Sequence, residues 1–367
     1  MYRFLRENSQ FIAATLVAGY VGTSVTYKIN KGDLLRENYE FLTKKNTYLG
    51  LSIKEEENAK KFLYRLNDYE KNYEFFRSNT LDFISFGFNK TRNGAQIGLP
   101  LSYFANSKSE ICELIPENGF EHFLGQTISL ENLNQKLTSE QIENFNNSLI
   151  LSQDAKLFAL AREVANTQNF FRSIIENIIE FSCLFIAYWF SYVFSRGYKF
   201  QYLQRKRLYV FSGLTALSII FSSKLITKKI LEESNDSKAC QMGLDCCEGS
   251  IEFYDKELER NRLLRLVLPD GEKLIDSEGN IMKQSVHLPF TNYYFYMNNT
   301  GIKLTERREN CRKELIKMIQ KLSDQFDAEQ TKKFQESTES IEESTNNKEL
   351  KIFKAIRLQL ENLSRPK

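Results

Sequence analysis

Histidine is almost absent. The chain of 367 residues has two, His122 and His287, which leaves little for metal ligation or acid–base chemistry. Proline is scarce too, at 5 residues, against 29 phenylalanines and 18 tyrosines. That balance speaks against a sandwich or a collagen-like chain and suits a helical protein with membrane contact. Neither sign of charge dominates: 50 Lys and Arg face 47 Asp and Glu, a net of +3. A general nucleic-acid role has no electrostatic support at that balance. The six cysteines, Cys112, Cys183, Cys240, Cys246, Cys247 and Cys311, form no CxxC pair and no even framework. They read as mostly free thiols. A soft-metal site at Cys240 and Cys247, seven apart and able to share a helix face, is chemically allowed. Gly94 and Gly98 lie in no strand–GxGxxG–helix context, so a nucleotide loop is not expected. No cofactor and no small-molecule substrate are expected.

What the chain does have is apolar stretches. Phe11 to Tyr27 carries no charge and just reaches the length that crosses hydrocarbon. No small-residue cleavage site follows it, so it reads as a retained anchor. Ile178 to Phe194 and Leu208 to Ser223 are two further runs that read as spans; Glu180 near its start weakens the first, whose alternative is a buried core helix. Between them, Arg196, Lys199, Arg205, Lys206 and Arg207 stand without an acid. A short basic loop marks the side that is not translocated, and Arg3 and Arg6 put the amino terminus there too. Three spans would then place both soluble parts together across the membrane.

The organisation expected is residues 1–28, a stub and anchor helix; 29–173, the first soluble part; 174–226, a transmembrane hairpin with its basic loop at 195–207; 227–295, the second soluble part; and 296–367, a charged helical extension. The fold class is a mainly α membrane protein with a few short strands, its hairpin inserted in one α+β domain. Ser52 to Phe76 reads as a helix, with Phe62, Leu66, Tyr69, Tyr73 and Phe76 at helical spacing. Asn93 to Pro100 reads as a turn into a short strand stopped by proline. Thr138 and Gln141 have capping-box spacing before a helix. The run from Leu151 to Phe171 reads as an amphipathic helix. Another covers Gly249 to Leu268, ended by the turn Pro269-Asp270-Gly271. Lys273 to Met282 suggests two very short strands around a loop, Asp276 to Gly279. His287 belongs to an extended turn, where it reads as a residue satisfied by backbone more readily than as a ligand. Leu315, Met318, Ile319, Leu322 and Phe326 give one helical stripe, and Phe353, Ile356, Leu360 and Leu363 a second. This tail reads as a solvated helix pair or a partner-binding coil.

Five blocks resemble one family. They are NGAQIGLP with Gly94, Gly98 and Pro100; LSQDAKLFALAREV with Phe158 and Ala159; GSIEFYDKEL with Glu252, Phe253 and Tyr254; Gly271 and Glu272 followed by Gly279 and Asn280; and HLPFT with His287 and Pro289. In that order they are similar to the transmembrane protein 177 family of the mitochondrial inner membrane. The resemblance covers about residues 90 to 295. It implies a non-enzyme in early biogenesis of cytochrome c oxidase subunit II. The implied partners are that subunit and its membrane chaperone, cytochrome c oxidase assembly protein 20, with the soluble domain in the intermembrane space.

A looser resemblance concerns fold. Arg162-Glu163-Val164-Ala165-Asn166 has the skeleton of HExxH with both histidines gone. Integral-membrane zinc peptidases of the heat-shock type place that helix before a transmembrane hairpin and a third, acidic ligand after it. Asp236 stands where that ligand would be. HExxH aims two neutral imidazoles at zinc from one helix face while glutamate activates water. Arg162 is always cationic and repels zinc, and Asn166 is a poor ligand. An active zinc protease is therefore not expected. A degenerate metallopeptidase-like fold that holds a client, and an unrelated helix whose Arg162 and Glu163 serve structure, both stay open.

Overall fold

The computed structural model describes residues 51–65, 72–92, 94–114, 120–124, 126–198, 202–287, 294–298 and 301–337. The anchor expected at Phe11 to Tyr27 and the stripe at Phe353 to Leu363 lie outside them.

Four helices build the body. α6 (Gln153–Thr167) is its axis, preceded in the chain by α1 (Ile53–Arg65), α2 (Leu101–Phe104), α3 (Lys108–Leu114), α4 (Leu130–Lys136) and α5 (Ser139–Ser148). Ser152 caps α6, its hydroxyl accepting from the Ala155 amide, which satisfies one of the orphan donors of the first turn. The helix is buried on nearly every side, not only along one stripe; Phe158, Ala159, Leu160 and Ala161 are all fully enclosed. Against it pack α8 (Tyr202–Gln241) and α9 (Leu244–Val267), and α11 (Leu304–Ser337) packs in turn on those two. α9 lies against α6 through Gly249, where a Cβ would fall 2.2 Å from the Asp154 carbonyl carbon. The expected capping box is present at Thr138 and Gln141 of α5.

A small sheet covers one side of α6, through β2. β1 (Tyr73–Arg77), β2 (Ile84–Gly87) and β3 (Ala95–Leu99) run in the order β1-β3-β2, with β1 parallel and β2 antiparallel to β3. β3 is the strand expected between Gly94 and Pro100. Gly94 sits at φ +70 and Gly98 has Ile84 and Phe76 side chains inside the space of a Cβ, so both glycines are required sterically. The helix expected over Ser52 to Phe76 stops earlier. α1 is described as far as Arg65, Leu66 and Tyr69 lie outside the described residues, and Tyr73 and Phe76 belong to β1. Strand pairing with β3 overrides a helical spacing that spans only a few aromatics.

β4 (Phe120–Phe123) and β5 (Gln126–Ile128) form a hairpin. α10 (Gly271–Leu274) leads to the Ile275–Ile281 bridge, the short pairing expected around Asp276 to Gly279. β6 (Lys283–His287) pairs antiparallel with β7 (Tyr294–Asn298). His287 thus ends a strand, and Pro289 lies outside the described residues.

α7 (Phe170–Gly197) and α8 form an antiparallel helical arm, joined across by the Ser191 and Ser212 hydroxyls. This corrects the expected transmembrane hairpin. Among the described residues no helix is long and apolar enough to cross a membrane. The reason is charge placement. α7 is uncharged only over residues 181–195 and α8 only over 208–223. At 15 and 16 residues these fall below the roughly 17-residue minimum for a helix that crosses hydrocarbon. The basic residues expected as a loop are partly helical: Arg196 lies in α7 and stacks 4.8 Å from the Tyr192 ring, while Arg205, Lys206 and Arg207 lie in α8. Lys199 lies outside the described residues.

Three thiols meet in the core from three helices. Cys240 ends α8, Cys247 begins α9 and Cys311 comes from α11. Cys240 and Cys247 share no helix, since Met242 and Gly243 turn the chain between them. All three are free and buried. Contact with Cys247 and burial push the Cys240 thiol up; contact with Cys240 and burial do the same for Cys311. Reactivity follows the thiolate. A maleimide should therefore label Cys183 in the native protein and reach Cys240, Cys247 and Cys311 only after denaturant, as a mass-resolved labelling series would read. Early labelling of the three would mean that this helix junction opens.

Candidate functional site

The RExxN helix and Asp236 come together in the fold. Glu163 is buried, with its Oε2 accepting from the Ser85 hydroxyl at 2.7 Å. Arg162 donates from Nε and Nη2 to Glu163 Oε1, at 3.1 and 2.9 Å, and its guanidinium lies 5.1 Å from the Phe253 ring centroid. Asn166 donates to the Ser85 hydroxyl and accepts from Asn235, the neighbour of Asp236. Asp236 receives a forked pair from Arg307, at 2.7 and 2.6 Å, and the Tyr254 hydroxyl at 2.7 Å. Arg307 in turn lies 5.1 Å from the Tyr254 ring.

Electrostatics follow from this wiring. Burial works against the charge of Arg162, but Glu163 and Tyr254 outweigh it, and the guanidinium is held more firmly protonated than usual. Burial likewise opposes Arg307, and Tyr254 with Asp236 outweighs it. Tyr254 is pushed well up by burial, so it stays a neutral donor to Asp236. One planar cation, Arg162, thus occupies a position compared with a zinc ligand and a second, Arg307, stands against another, Asp236; each is fixed by a carboxylate and an aromatic face. Among the described residues no group of three His, Cys, Asp or Glu is arranged to hold a metal ion.

Beside this centre lies a cleft of about 270 Å³, reached by Arg162, Glu257, Arg260, Lys303 and Arg307. Arg260 is locked to the Leu81 carbonyl, Asp82 and Asn261. Glu257 is 8% exposed, and its carboxylate makes no hydrogen bond or ion pair among the described residues. Burial, then Asp82, raises its pKa to about 7, with Arg162, Arg260 and Arg307 pulling the other way. An acid raised in the fold adds stability below its unfolded pKa and loses it as pH rises through the folded value. Glu257→Gln should therefore stabilise the protein at pH 8 by about 2 kcal/mol and hardly at all near pH 4.5. Urea midpoints of the full chain at both pH values check this; equal shifts at the two would contradict it.

A second cleft, of about 650 Å³, holds Lys156 and Tyr103. Lys156 donates to the Ala105 carbonyl and Asn106, and burial lowers its pKa to about 8.

The residues of the five blocks serve construction. Pro100 precedes α2, and Phe158, Ala159, Phe253 and Tyr254 fill the core. Glu252 accepts from the Ser152 amide at 3.0 Å. A Cβ added at Gly271 would fall 2.1 Å from the Arg265 carbonyl oxygen, and one at Gly279 would fall 2.3 Å from that of Leu258. Asn280 is buried and ties Asp276 to Thr305, whereas Glu272 is exposed beside Arg265. Sequence reasoning missed Arg307, Glu257, Arg260 and Ser85. The available signal was Glu257-x-x-Arg260, two opposite charges on one face of a helix whose neighbours are aromatic and aliphatic.

The family profile described as Transmembrane protein 177 matches residues 14–338. Proteins called Transmembrane protein 177 are similar to this chain. That of Danio rerio is 28% identical over 54% of this chain and 64% of its own length. That of Homo sapiens is 27% identical over 60% and 68%. That of Mus musculus is 25% identical over 60% and 68%. The chain thus spans just under two thirds of the Danio rerio relative. No solved structure matches.

Proposed function

Because the chain belongs to the transmembrane protein 177 family, a name that implies a membrane protein, we propose that it is a non-catalytic assembly factor of the mitochondrial inner membrane. In this reading it supports early maturation of cytochrome c oxidase subunit II by stabilising the subunit's chaperone, cytochrome c oxidase assembly protein 20, together with the newly made subunit. The observation that carries the reading is the helical arm. It exposes Phe185, Ile186, Trp189 and Phe190 on α7 and Val210 and Phe211 on α8, each at least 45% accessible. Clustered exposed apolar side chains mark contact surfaces, and aromatics are the residues that anchor partners. The uncharged Phe11 to Tyr27 segment, with Arg3 and Arg6 before it, supports an anchor whose amino end faces the matrix and whose body faces the intermembrane space.

The meeting of Arg162, Glu163 and Asn166 with Asp236 favours a second reading, an inactive relative of membrane metallopeptidases that holds another client. The arginines argue for inactivity, since a catalytic zinc needs three ligands and an open position.

The test is an affinity pull-down of the tagged protein from mitochondria after a short labelling pulse of organellar translation. Labelled subunit II and its chaperone in the eluate are the expected result. A protein present in the inner membrane that brings down neither would overturn the assembly reading and leave the second one to be pursued.

A further inference from the structure

The cleft beside Asp236 has an unusual inventory. Arg162 and Arg307 are each pinned through Nε and Nη2, which leaves Nη1 of each without a partner among the described residues. Their orientation is already fixed, so a ligand need not order them. Glu257 adds a carboxylate more than nine-tenths buried, unpaired, on the same cleft wall. Leu124, Ile281, Ile302 and Leu304 supply apolar rim.

Ligand classes can be sorted by this inventory. A metal cation meets three guanidiniums and is repelled. A phosphate dianion gains the two arginines and the lysines at 228 and 303 but meets three carboxylates, Glu257, Asp82 and Glu232. A neutral solute leaves the arginine termini unused. A carboxylate that carries a hydrogen-bond donor next to it matches both the fixed cations and the buried acid: the oxygens take the arginine Nη1 groups and the donor takes Glu257. A polypeptide ends in that combination, an α-carboxylate beside its own amide N–H, with a side chain for the apolar rim.

We propose that this cleft binds the free carboxyl terminus of a polypeptide, its carboxylate held by Arg162 and Arg307 and its last amide by Glu257. The site is one of recognition, with no bond made or broken. It stands apart from the assembly role, so peptide binding and the pull-down can fail separately.

The experiment uses the purified full chain in mild detergent and a fluorescent octapeptide ending in leucine, read by anisotropy. The free acid is expected to bind and its carboxyl-terminal amide to bind at least about tenfold more weakly, the loss of one charge-assisted contact. N-acetyl-leucine should compete, and inorganic phosphate should not. In Glu257→Gln, which removes the repelling charge, phosphate should begin to compete while the acid-over-amide preference shrinks. Equal binding of acid and amide by the unaltered protein would overturn the proposal, and so would phosphate competing with it as well as N-acetyl-leucine does. Free leucine competing better than N-acetyl-leucine would also overturn it, since the site would then select an ammonium group.

Discussion

Gly249→Ala should lower the stability of the body by about 3 kcal/mol or more, whereas Gly213→Ala should leave it unchanged or raise it by up to about 1 kcal/mol. At Gly249 the new methyl would sit 2.2, 2.3 and 2.5 Å from the Asp154 carbonyl carbon, its oxygen and the Ala155 nitrogen. All three are backbone atoms of the first turn of α6, so no rotamer change relieves the clash. The turn cannot drift easily either, because the Ser152 amide is tied to Glu252 on α9. The two helices must move apart, and each is buried through the same core. At Gly213, on the arm, nothing lies within 4 Å of the added carbon. Alanine there gains only the helix propensity that glycine lacks. Both variants have the same chemistry, so the pair isolates packing. Thermal unfolding of the full chain should show a drop of about 5 °C for the first alone. Similar melting of the two would mean that α6 and α9 do not meet as closely as described.

The second large effect is at Asp236. Removal of its carboxylate by Asp236→Ala leaves the Arg307 guanidinium and the Tyr254 hydroxyl buried with no acceptor. Breaking one side of a buried pair costs about 3–5 kcal/mol, most of it the penalty of the stranded charge. The double variant Asp236→Ala with Arg307→Met removes that charge and should recover more than half of the loss. A double-mutant cycle by urea denaturation reads the coupling directly. Additive losses would show that Asp236 and Arg307 act independently, contrary to the forked geometry.

Parts of this architecture were legible because local chemistry and tertiary packing agree. The capping box at Thr138, the strand between Gly94 and Pro100 and the turn at Asp270 are each written within a few residues. β1 was not legible: five residues with three aromatics fit either period, and its partner β3 is what decides. The arm misled for a different reason. Phenylalanine, tyrosine and tryptophan make its sequence look like a span, yet Glu180 and Arg196 on α7, and Arg207 and Lys224 on α8, bound runs too short to cross. The tail misled most. Its charged helix looked detached, but Cys311, Leu315 and Ile319 are buried, and Arg307 reaches back 71 residues to Asp236. The adjacency of Arg162, Glu163, Asn166 and Asp236 was suggested by motif order. Arg307 was not, since no local pattern signals a partner that distant. Glu257 was hidden by its neighbours, because acids are common along α9 and only the fold shows which one turns inward.

Three asparagines mark where the arm leaves the body. Asn169, at the start of α7, donates to Asn235 near the end of α8, and Asn235 donates to Asn166 on α6, at 3.0 and 3.2 Å. The chain therefore departs and returns through one doorway, and everything beyond it is, topologically, an insertion. Closing such a gap with a few residues costs little entropy, since its ends are already held together. The body's folding nucleus need not include the arm at all. A shortened chain, cut beyond the doorway and rejoined by a tight turn, would keep its core while losing the apolar face. The arm's sequence is thereby released from the demands of folding and left to answer to whatever it touches.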